Sequence, residues 1–427
     1  MALMTGREYM DSLKKMKPAV YLFGKKLEDP AEHPFVKPSR DAIALTYDLA
    51  HDPEYKDLMT AESRLTGGTV NRFTHIYGSP EDLIKKVKMA RLMGQRTATC
   101  FQRCTTMDTA NALHIATFEM DRRLGTEYHG RFLDFMREVQ EKDLDVGVAM
   151  TDVKGDRSLR PSQQADPDLY LRVIRETDDG IVVRGAKANQ TGSINCHYTF
   201  VAPTSAMRED DRDYAVAFAV PIDAAGIVHI YGRQFSDSRK LEGADVGNTG
   251  FGAQETLMVF DDVFVPWERV FLYREYEAAG RIPYLFGSSH RQTYGGCKAG
   301  VSDVLIGAVS LLAEYNGVAK MPHIQQKLTE MVALTETIYA CGIAAGAEAK
   351  ETSSGIYYGD LLLGNVCKLN VCELPYRMAR MAVDVAGGII GTLPSEKELT
   401  HPEIGKYMQK YLAGAAGAPA GDRMRIL

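Results

Sequence analysis

The chain has 427 residues, a length that predicts about three domains at roughly 150 residues each. Its 50 basic and 56 acidic side chains give a formal net charge of −6, which excludes a general polyanion-binding protein, so nucleic acid is not a predicted partner. A hydrophobic content of 45% and a charged content of 25% are ordinary for globular proteins and exclude wholesale disorder.

Three further features predict the cellular location. No uninterrupted apolar run approaches the roughly 18 residues that a membrane span requires, so no membrane partner is predicted. The segment from Met1 to Asp11 lacks the apolar core of a secretory signal. Seven cysteines, an odd number in so long a chain, favour reduced thiols or metal ligands over a disulfide framework. We therefore expect a cytoplasmic protein.

Residues 1–144 are predicted to form an N-terminal helical domain. Its clearest helix start is at Ser79, whose side chain can cap free backbone N–H groups. Pro80 suits the first helical position, and Glu81 and Asp82 complement the positive end of the helix dipole. We therefore expect a helix that begins next to Ser79.

The pattern changes over residues 145–279, where branched and aromatic residues dominate and predict a β-domain. Asp178-Asp179-Gly180 lies between Val173–Arg175 and Ile181–Arg184 and is typical of a hairpin turn. The other predicted strands are 214–220, 227–231 and 257–260. From residue 280 to residue 427, long apolar-rich stretches predict a C-terminal helical domain.

Cys100 and Cys104 are the first pair of candidate ligands. On a helix, positions i and i+4 share one face, so two thiolates there could point at one ion. The alternative is a pair of core cysteines, because free cysteine is commonly buried.

The second candidate segment contains His290 and Cys297, which are seven residues apart and would share a helix face with Tyr294 between them. A helix start is predicted at Gly287-Ser288-Ser289. Gly295-Gly296 inside a helix costs about 1 kcal/mol per glycine relative to alanine, which makes sense if something bulky approaches the backbone closely. The alternative is a histidine satisfied near a helix end, with the glycines at a kink.

Together the two segments supply three thiols and one imidazole. Such a set can hold a tetrahedral Zn²⁺ ion or an iron–sulfur cluster, and the number of ligands does not choose between them. Three residues between Cys100 and Cys104 differ from the two-residue spacing of small zinc modules, which slightly favours a cluster. The remaining cysteines, interpreted as core thiols, are Cys196, Cys341, Cys367 and Cys372.

These two segments closely resemble those of the 4-hydroxybutyryl-CoA dehydratases, which are also vinylacetyl-CoA isomerases. This family belongs to a wider group with the flavin-dependent 4-hydroxyphenylacetate 3-hydroxylases, which do not share the four-ligand set. The resemblance runs along the chain and includes Thr151–Arg157, Gly185–Gly192, Phe260–Pro266 and Ala386–Gly388. It implies an α+β multidomain fold similar to acyl-CoA dehydrogenases, with an N-terminal helical domain, a middle β-domain and a C-terminal helical bundle.

The resemblance also implies two cofactors and an assembly. A [4Fe–4S] cluster would be held by Cys100, Cys104, His290 and Cys297, and the assembly would be a homotetramer built as a pair of dimers. A non-covalent FAD would lie against the β-domain, where lysine and arginine offer charge to a pyrophosphate and glycine permits close backbone approach. The implied FAD contacts are Met150, Thr151, Lys154, Gly155, Asp156, Arg157, Gln190 and Thr191.

The implied reaction is the dehydration of the acyl-CoA substrate 4-hydroxybutyryl-CoA to crotonyl-CoA. Because the β-hydrogen is not activated and hydroxide is a poor leaving group, simple acid–base catalysis fails, and radical chemistry through FAD with a cluster acting as Lewis acid is expected. The residues implied in catalysis are His290, Tyr294, Lys298 and Glu255. Without the resemblance, Tyr294 is interpreted as a core residue, and Lys298 and Glu255 as exposed ones.

Two alternatives follow from the same sequence. One is an aromatic hydroxylase that uses reduced flavin and needs no metal. The other is a catalytically impaired cofactor-binding homologue, since the resemblance implies a further active-site glutamate in a tail beyond Leu427.

Overall fold

Helices dominate the first part of the chain in the computed structural model, which describes residues 3–232 and 250–427. The predicted start at Ser79 is confirmed, because its side chain accepts a hydrogen bond from the backbone N–H of Asp82 and Pro80 opens the helix. These helices are α1 (Gly6–Leu13), α2 (Lys37–Asp48), α3 (Lys56–Met59), α4 (Pro80–Thr97), α5 (Cys104–Leu124) and α6 (Tyr128–Glu141).

Two sheets that share an apolar core form the middle of the molecule. The larger sheet has the order β2-β1-β10-β11-β7-β6 and the smaller has the order β12-β9-β8-β5. The strands are β1 (Ala19–Leu22), β2 (Lys25–Lys26), β3 (Thr60–Glu62), β4 (Thr69–Asn71), β5 (Val146–Ala149), β6 (Arg172–Thr177), β7 (Gly180–Thr191), β8 (Tyr198–Val201), β9 (Val216–Pro221), β10 (Ile227–Tyr231), β11 (Glu255–Pro266) and β12 (Val270–Tyr273).

The predicted strands match this sheet structure closely. The hairpin turn is confirmed, since Thr177 pairs with Gly180 around the two aspartates between β6 and β7. The strand predicted at 214–220 begins two residues later, because Glu209–Tyr214 forms a short 3-10 helix first. The strand predicted at 257–260 is longer at both ends.

Strands β1 to β4 lie where the sequence predicted only helices, and β1 is the one that enters the larger sheet most deeply. β1 pairs in parallel with β10, so a segment from the first 30 residues lies inside the larger sheet. Val20 and Leu22 are buried, but four residues give too short an alternation to stand out from a helical pattern. The division at residues 144/145 and 279/280 stays a prediction.

The C-terminal part of the chain is a helical bundle built on the long helix α8 (Arg281–Tyr315). This helix packs against α4, α5, α9 (Pro322–Ala347) and α10 (Leu361–Ala386). Helix α8 begins at Arg281, so the start predicted at Gly287–Ser289 is wrong. Pro283 explains the difference, because the first helical turn needs no backbone N–H donors and tolerates proline. The remaining elements are α7 (Tyr276–Ala279), β13 (Lys350–Glu351), β14 (Tyr357–Tyr358), α11 (Gly405–Tyr411) and α12 (Ala420–Ile426).

Glycines let the helices of this bundle approach to backbone contact. A Cβ at Gly295 would lie 2.6 Å from the Cα of Gly342 on α9, and a Cβ at Gly296 would overlap the carbonyl oxygen of Val87 on α4. On α4, a Cβ at Gly94 would lie 2.6 Å from the carbonyl oxygen of Cys297. The neighbours that approach Gly295 and Gly296 closely are therefore the backbones of α9 and α4.

Two helical segments, Tyr276–Tyr315 and Pro322–Ala347, are long and apolar enough to cross a membrane on length and composition alone. The sequence has no uninterrupted apolar run of that length, and both segments pack in the bundle. Core helices pass the same test, so this feature is weak support for a membrane span.

We expect Gly296→Ala to lower the free energy of unfolding by about 1–3 kcal/mol, because the added methyl group overpacks the α4–α8 contact. Gly307→Ala, on the same helix, is the matched control, since a Cβ there meets nothing within 4 Å. Alanine is the better helix former, so the control should be stabilised by up to about 1 kcal/mol. Urea denaturation followed by circular dichroism measures both, and equal midpoints would contradict the packing explanation.

Candidate active site

The two cysteines of the first segment meet through a loop rather than along a helix. Cys100 lies between α4 and α5, and Cys104 is the first residue of α5. The expectation that both occupy one helix face is therefore wrong. Gln102 turns the loop with a φ of 68°, and the thiols of Cys100 and Cys104 hydrogen-bond to each other.

The second segment lies on α8 as its spacing predicted. The rings of His290 and Tyr294 have centroids 4.7 Å apart. The Lys298 ammonium lies 5.9 Å from the centre of the Tyr294 ring, and Lys368 on α10 lies 4.8 Å from it. Lys368 is a cation near the site that sequence reasoning missed, because nothing in α10 marks it.

The two segments are close enough to act on each other electrostatically. The hydrogen bond from Cys104 lowers the pKa of Cys100 to about 6 against the effect of burial, and the charges of Lys298 and His290 lower it further. The same hydrogen bond and burial raise the pKa of Cys104. Burial raises the pKa of Cys297 to about 12, and the charge of Cys100 also raises it. All four predicted ligands therefore belong to one group of side chains.

Asp108 on α5 is a second residue of the site that sequence reasoning missed. It is fully buried, and its carboxylate accepts hydrogen bonds from His290 Nδ1 at 2.8 Å and from Thr293 Oγ1 at 2.9 Å. Lys86 Nζ, also fully buried, lies 2.8 Å from Asp108 Oδ1. Although burial opposes ionisation, Lys86 and the hydrogen bond from His290 lower the pKa of Asp108 to about 2. Lys86 resembles an ordinary surface lysine in the sequence, which is why the pair was not predicted.

Glu255 approaches the cysteine loop from the β-domain. It begins β11 opposite Thr191 at the end of β7, and Thr191 Oγ1 donates a hydrogen bond to Glu255 Oε1 at 2.6 Å. Glu255 Oε2 is buried and has no hydrogen-bond partner in the described part of the chain. Burial raises the pKa of Glu255 to about 7, and the nearby charge of Cys100 adds to the rise. Glu255 therefore holds its proton more readily than an ordinary glutamate and is not the exposed residue of the alternative interpretation.

The residues predicted to contact FAD divide into two groups. Gln190 on β7 accepts a hydrogen bond from Met150 N at 3.2 Å and donates one to Thr151 O at 2.9 Å, and Thr191 follows it in the strand. The second group lies on an exposed loop after β5, where Lys154 O accepts from Tyr170 and Asp156 N donates to Gln164. This second group comprises Lys154, Gly155, Asp156 and Arg157.

Comparison with known proteins identifies the family. The model of the 4-hydroxyphenylacetate 3-hydroxylase N terminal matches residues 5–272, and the model of the C terminal matches residues 279–427. The chain belongs to this family. It is 52% identical to the 4-hydroxybutyryl-CoA dehydratase/vinylacetyl-CoA-Δ-isomerase of Clostridium aminobutyricum, over 100% of this chain and 89% of that protein.

Solved structures agree with this assignment. An oxygen-tolerant archaeal 4-hydroxybutyryl-CoA dehydratase from N. maritimus matches with a TM-score of 0.97 at 48% identity, covering 100% of this chain and 85% of that chain. The oxygenase component of 4-hydroxyphenylacetate 3-monooxygenase, solved with FAD, matches with a TM-score of 0.88 at 26% identity, covering 99% and 87%.

The predicted fold class is confirmed. Butyryl-CoA dehydrogenase from Megasphaera elsdenii shares the fold with a TM-score of 0.51 at 16% identity, covering 91% of this chain and 92% of that chain. The α+β fold similar to acyl-CoA dehydrogenases, with its C-terminal helical region, is therefore the fold of this protein.

We expect Lys86→Met to lower the free energy of unfolding by about 3–5 kcal/mol, because it leaves the Asp108 carboxylate buried without its cation. Lys85→Met, at the preceding residue, is the matched control. Lys85 pairs with Asp57, whose side chain is 90% exposed, so its loss should cost at most about 1 kcal/mol. Urea denaturation of both variants tests this, and equal losses of stability would show that the buried pair is not special.

Proposed function

We propose that this protein is a hydro-lyase that dehydrates 4-hydroxybutyryl-CoA to crotonyl-CoA and also isomerises vinylacetyl-CoA to crotonyl-CoA. The 52% identity to a dehydratase/isomerase supports this proposal over the hydroxylase alternative. The structural observation that supports it is that Cys100 lies within electrostatic reach of Cys104, Cys297, His290 and Glu255.

The donor set has the chemistry of an iron–sulfur cluster site. Three thiols and one imidazole can hold a zinc ion or such a cluster. Among residues 3–232 and 250–427, no three His, Cys, Asp or Glu side chains are grouped closely enough to hold one metal ion. The support for a cluster is therefore the chemistry of the donors and the family resemblance, on which we propose Cys100, Cys104, His290 and Cys297 as its ligands.

The FAD site is proposed at the Met150–Thr151 segment and the end of β7. FAD is present in a solved relative that shares the fold along nearly the whole chain. The side-chain amide of Gln190 is hydrogen-bonded to the backbone of Met150 and Thr151. Thr191, the last residue of β7, has a hydroxyl group that we propose lies beside the flavin. When bound, FAD would supply reversible one-electron transfer and the cluster a Lewis acid for the leaving hydroxyl group.

The protein's own side chains would transfer protons and orient the substrate. Glu255 can donate or accept a proton, because burial raises its pKa to about 7, near the operating pH. Tyr294 stays an O–H donor, since burial and the neighbouring thiols raise its pKa above the usual value. His290 is proposed as the base at the α-carbon only when its Nε2 is not bound to metal, since Nδ1 is engaged with Asp108. The Lys298 ammonium is proposed as the charge that stabilises the thioester oxygen.

The proposal is tested with protein purified and assayed without oxygen. We expect a brown protein with flavin bands, iron and sulfide in equal amounts, and conversion of both 4-hydroxybutyryl-CoA and vinylacetyl-CoA. A yellow, iron-free protein that uses oxygen and reduced flavin would support the hydroxylase alternative. A brown protein inert toward both thioesters would support the impaired homologue.

The variant His290→Cys separates cluster binding from turnover. It should retain iron and colour, since thiolate is a good cluster ligand, and should lose activity with both substrates. Iron analysis and the two assays measure this, and full activity in the variant would remove His290 from the mechanism.

We also propose a homotetramer, built as a pair of dimers through the C-terminal helices. Helix α10 carries exposed apolar side chains at intervals of seven residues, which place them on one face. Their exposed fractions are 70% for Leu362, 59% for Leu369, 76% for Tyr376 and 52% for Val383. A continuous apolar stripe of this kind favours a protein partner, and a second copy of the chain is the partner proposed.

We also propose a cytoplasmic location. The seven unpaired thiols support it, because disulfides are rare in reducing compartments.

Light scattering coupled to size exclusion tests the assembly. The double substitution Leu369→Glu/Tyr376→Glu should yield a species smaller than the unsubstituted tetramer, because it buries charge in the stripe. Leu369→Met/Tyr376→Phe keeps the stripe apolar and should keep the tetramer. A tetramer that survives the glutamates would place the interface elsewhere.

A further inference from the structure

The fully buried Asp108 carboxylate lies among four hydrogen-bond donors. Its Oδ2 accepts from His290 Nδ1 at 2.8 Å and from Thr293 Oγ1 at 2.9 Å. Its Oδ1 accepts from Ser289 Oγ at 2.8 Å and lies 2.8 Å from Lys86 Nζ. A carboxylate has about four lone-pair positions, so these four donors account for all of them.

The ion pair with Lys86 fixes the roles of the atoms in the set. Asp108 Oδ1 lies 2.8 Å from the Lys86 ammonium, so the carboxylate is the acceptor, and Nδ1 of His290, 2.8 Å from Oδ2, is the donor. Lys86 Nζ also lies 2.9 Å from Ser289 Oγ, which makes Ser289 the acceptor from the lysine and the donor to the carboxylate. The lone pair of a neutral His290 ring is therefore on Nε2.

Neighbouring rings fix the plane of the imidazole as well. Phe286 stacks on His290 with a centroid distance of 5.2 Å and an interplanar angle of 14°. Tyr294 meets it edge-on at 4.7 Å. The bond from Nδ1 to Asp108 and the contacts with the two aromatic rings together restrict the direction in which Nε2 points.

We infer that Asp108, held by Lys86, is the positioning residue that presents Nε2 of His290 as the cluster ligand, an inference that rests on the proposed function. Cys104 lies four residues before Asp108, and so on the same face of α5. The Asp108–His290 bond thus ties the helix that supplies Cys104 to the helix that supplies His290 and Cys297. Histidine ligands commonly donate their other ring N–H to a carboxylate, and loss of such partners costs roughly 10–100-fold in metal affinity or activity.

The direct test uses the unsubstituted holoprotein. The protein is produced once with histidine labelled with ¹⁵N at Nδ1 only and once with histidine labelled at Nε2 only. After one-electron reduction of the cluster, pulsed electron paramagnetic resonance detects the nitrogen bonded to iron. We expect the strong coupling in the Nε2-labelled sample. Strong coupling in the Nδ1-labelled sample would overturn the inference and leave the proposed function standing, whereas a protein without iron would overturn both.

The role of Asp108 is tested with a double-mutant cycle. Asp108→Asn should weaken iron retention roughly 10–100-fold, measured as the half-time of iron loss to a chelator without oxygen. In a His290→Cys background the same substitution leaves the same defect around Lys86 but no imidazole to position. We therefore expect a far smaller effect of Asp108→Asn there.

If Asp108→Asn speeds iron loss equally in both backgrounds, Asp108 has only a structural role and the inference is overturned. Thr293→Val serves as a further comparison, because it removes one donor and keeps the bond between Asp108 and His290. It should cost much less iron retention than Asp108→Asn. If Asp108→Asn does not fold, the labelling experiment decides the matter alone.

Discussion

The contact of α4 with α8 at the level of their backbones is the constraint on which the site depends. Gly94 and Gly296 remove the side chains that would separate the two helices. At that distance Lys86 reaches across to Ser289 and to Asp108 on α5, so three helices share one buried set of charges. A larger separation would leave those charges in an apolar interior without partners, at a cost of several kcal/mol. Packing and electrostatics therefore specify the same arrangement.

The charges of the site are arranged in two layers. On the side of the bundle, Asp108 and Lys86 compensate each other and control one ring nitrogen of His290. On the side of the β-domain, Glu255 has a buried oxygen without a hydrogen-bond partner in the described residues. The inner layer is satisfied and rigid, and the outer layer holds a group able to exchange a proton. This division is typical of catalytic centres, where fixed groups surround a few that change state.

Much of this arrangement could be predicted from the sequence, and the exceptions have physical causes. Spacing and a family resemblance together predict the four proposed ligands, and the resemblance alone predicts Glu255 and Thr191. Asp108 and Lys86 are not predicted, because a buried ion pair between residues 22 positions apart leaves no local pattern. The sequence predicts a helix across Cys100, but the structure has a loop there, because Gln102 makes a left-handed turn without the usual residue preference for that conformation. β1 was missed because its partner strand lies some 200 residues away in the chain.

That distant pairing has a consequence for how the β-sheet avoids edge-to-edge pairing with another molecule. Strand β10 would otherwise present an open row of N–H and C=O groups, and β1 occupies them. Beyond β1, in the described residues, the outermost strand is β2, which consists of Lys25 and Lys26, both exposed. A short, doubly charged strand repels a second sheet edge. The N-terminal segment thus protects this edge of the β-domain from pairing with the sheet of another molecule.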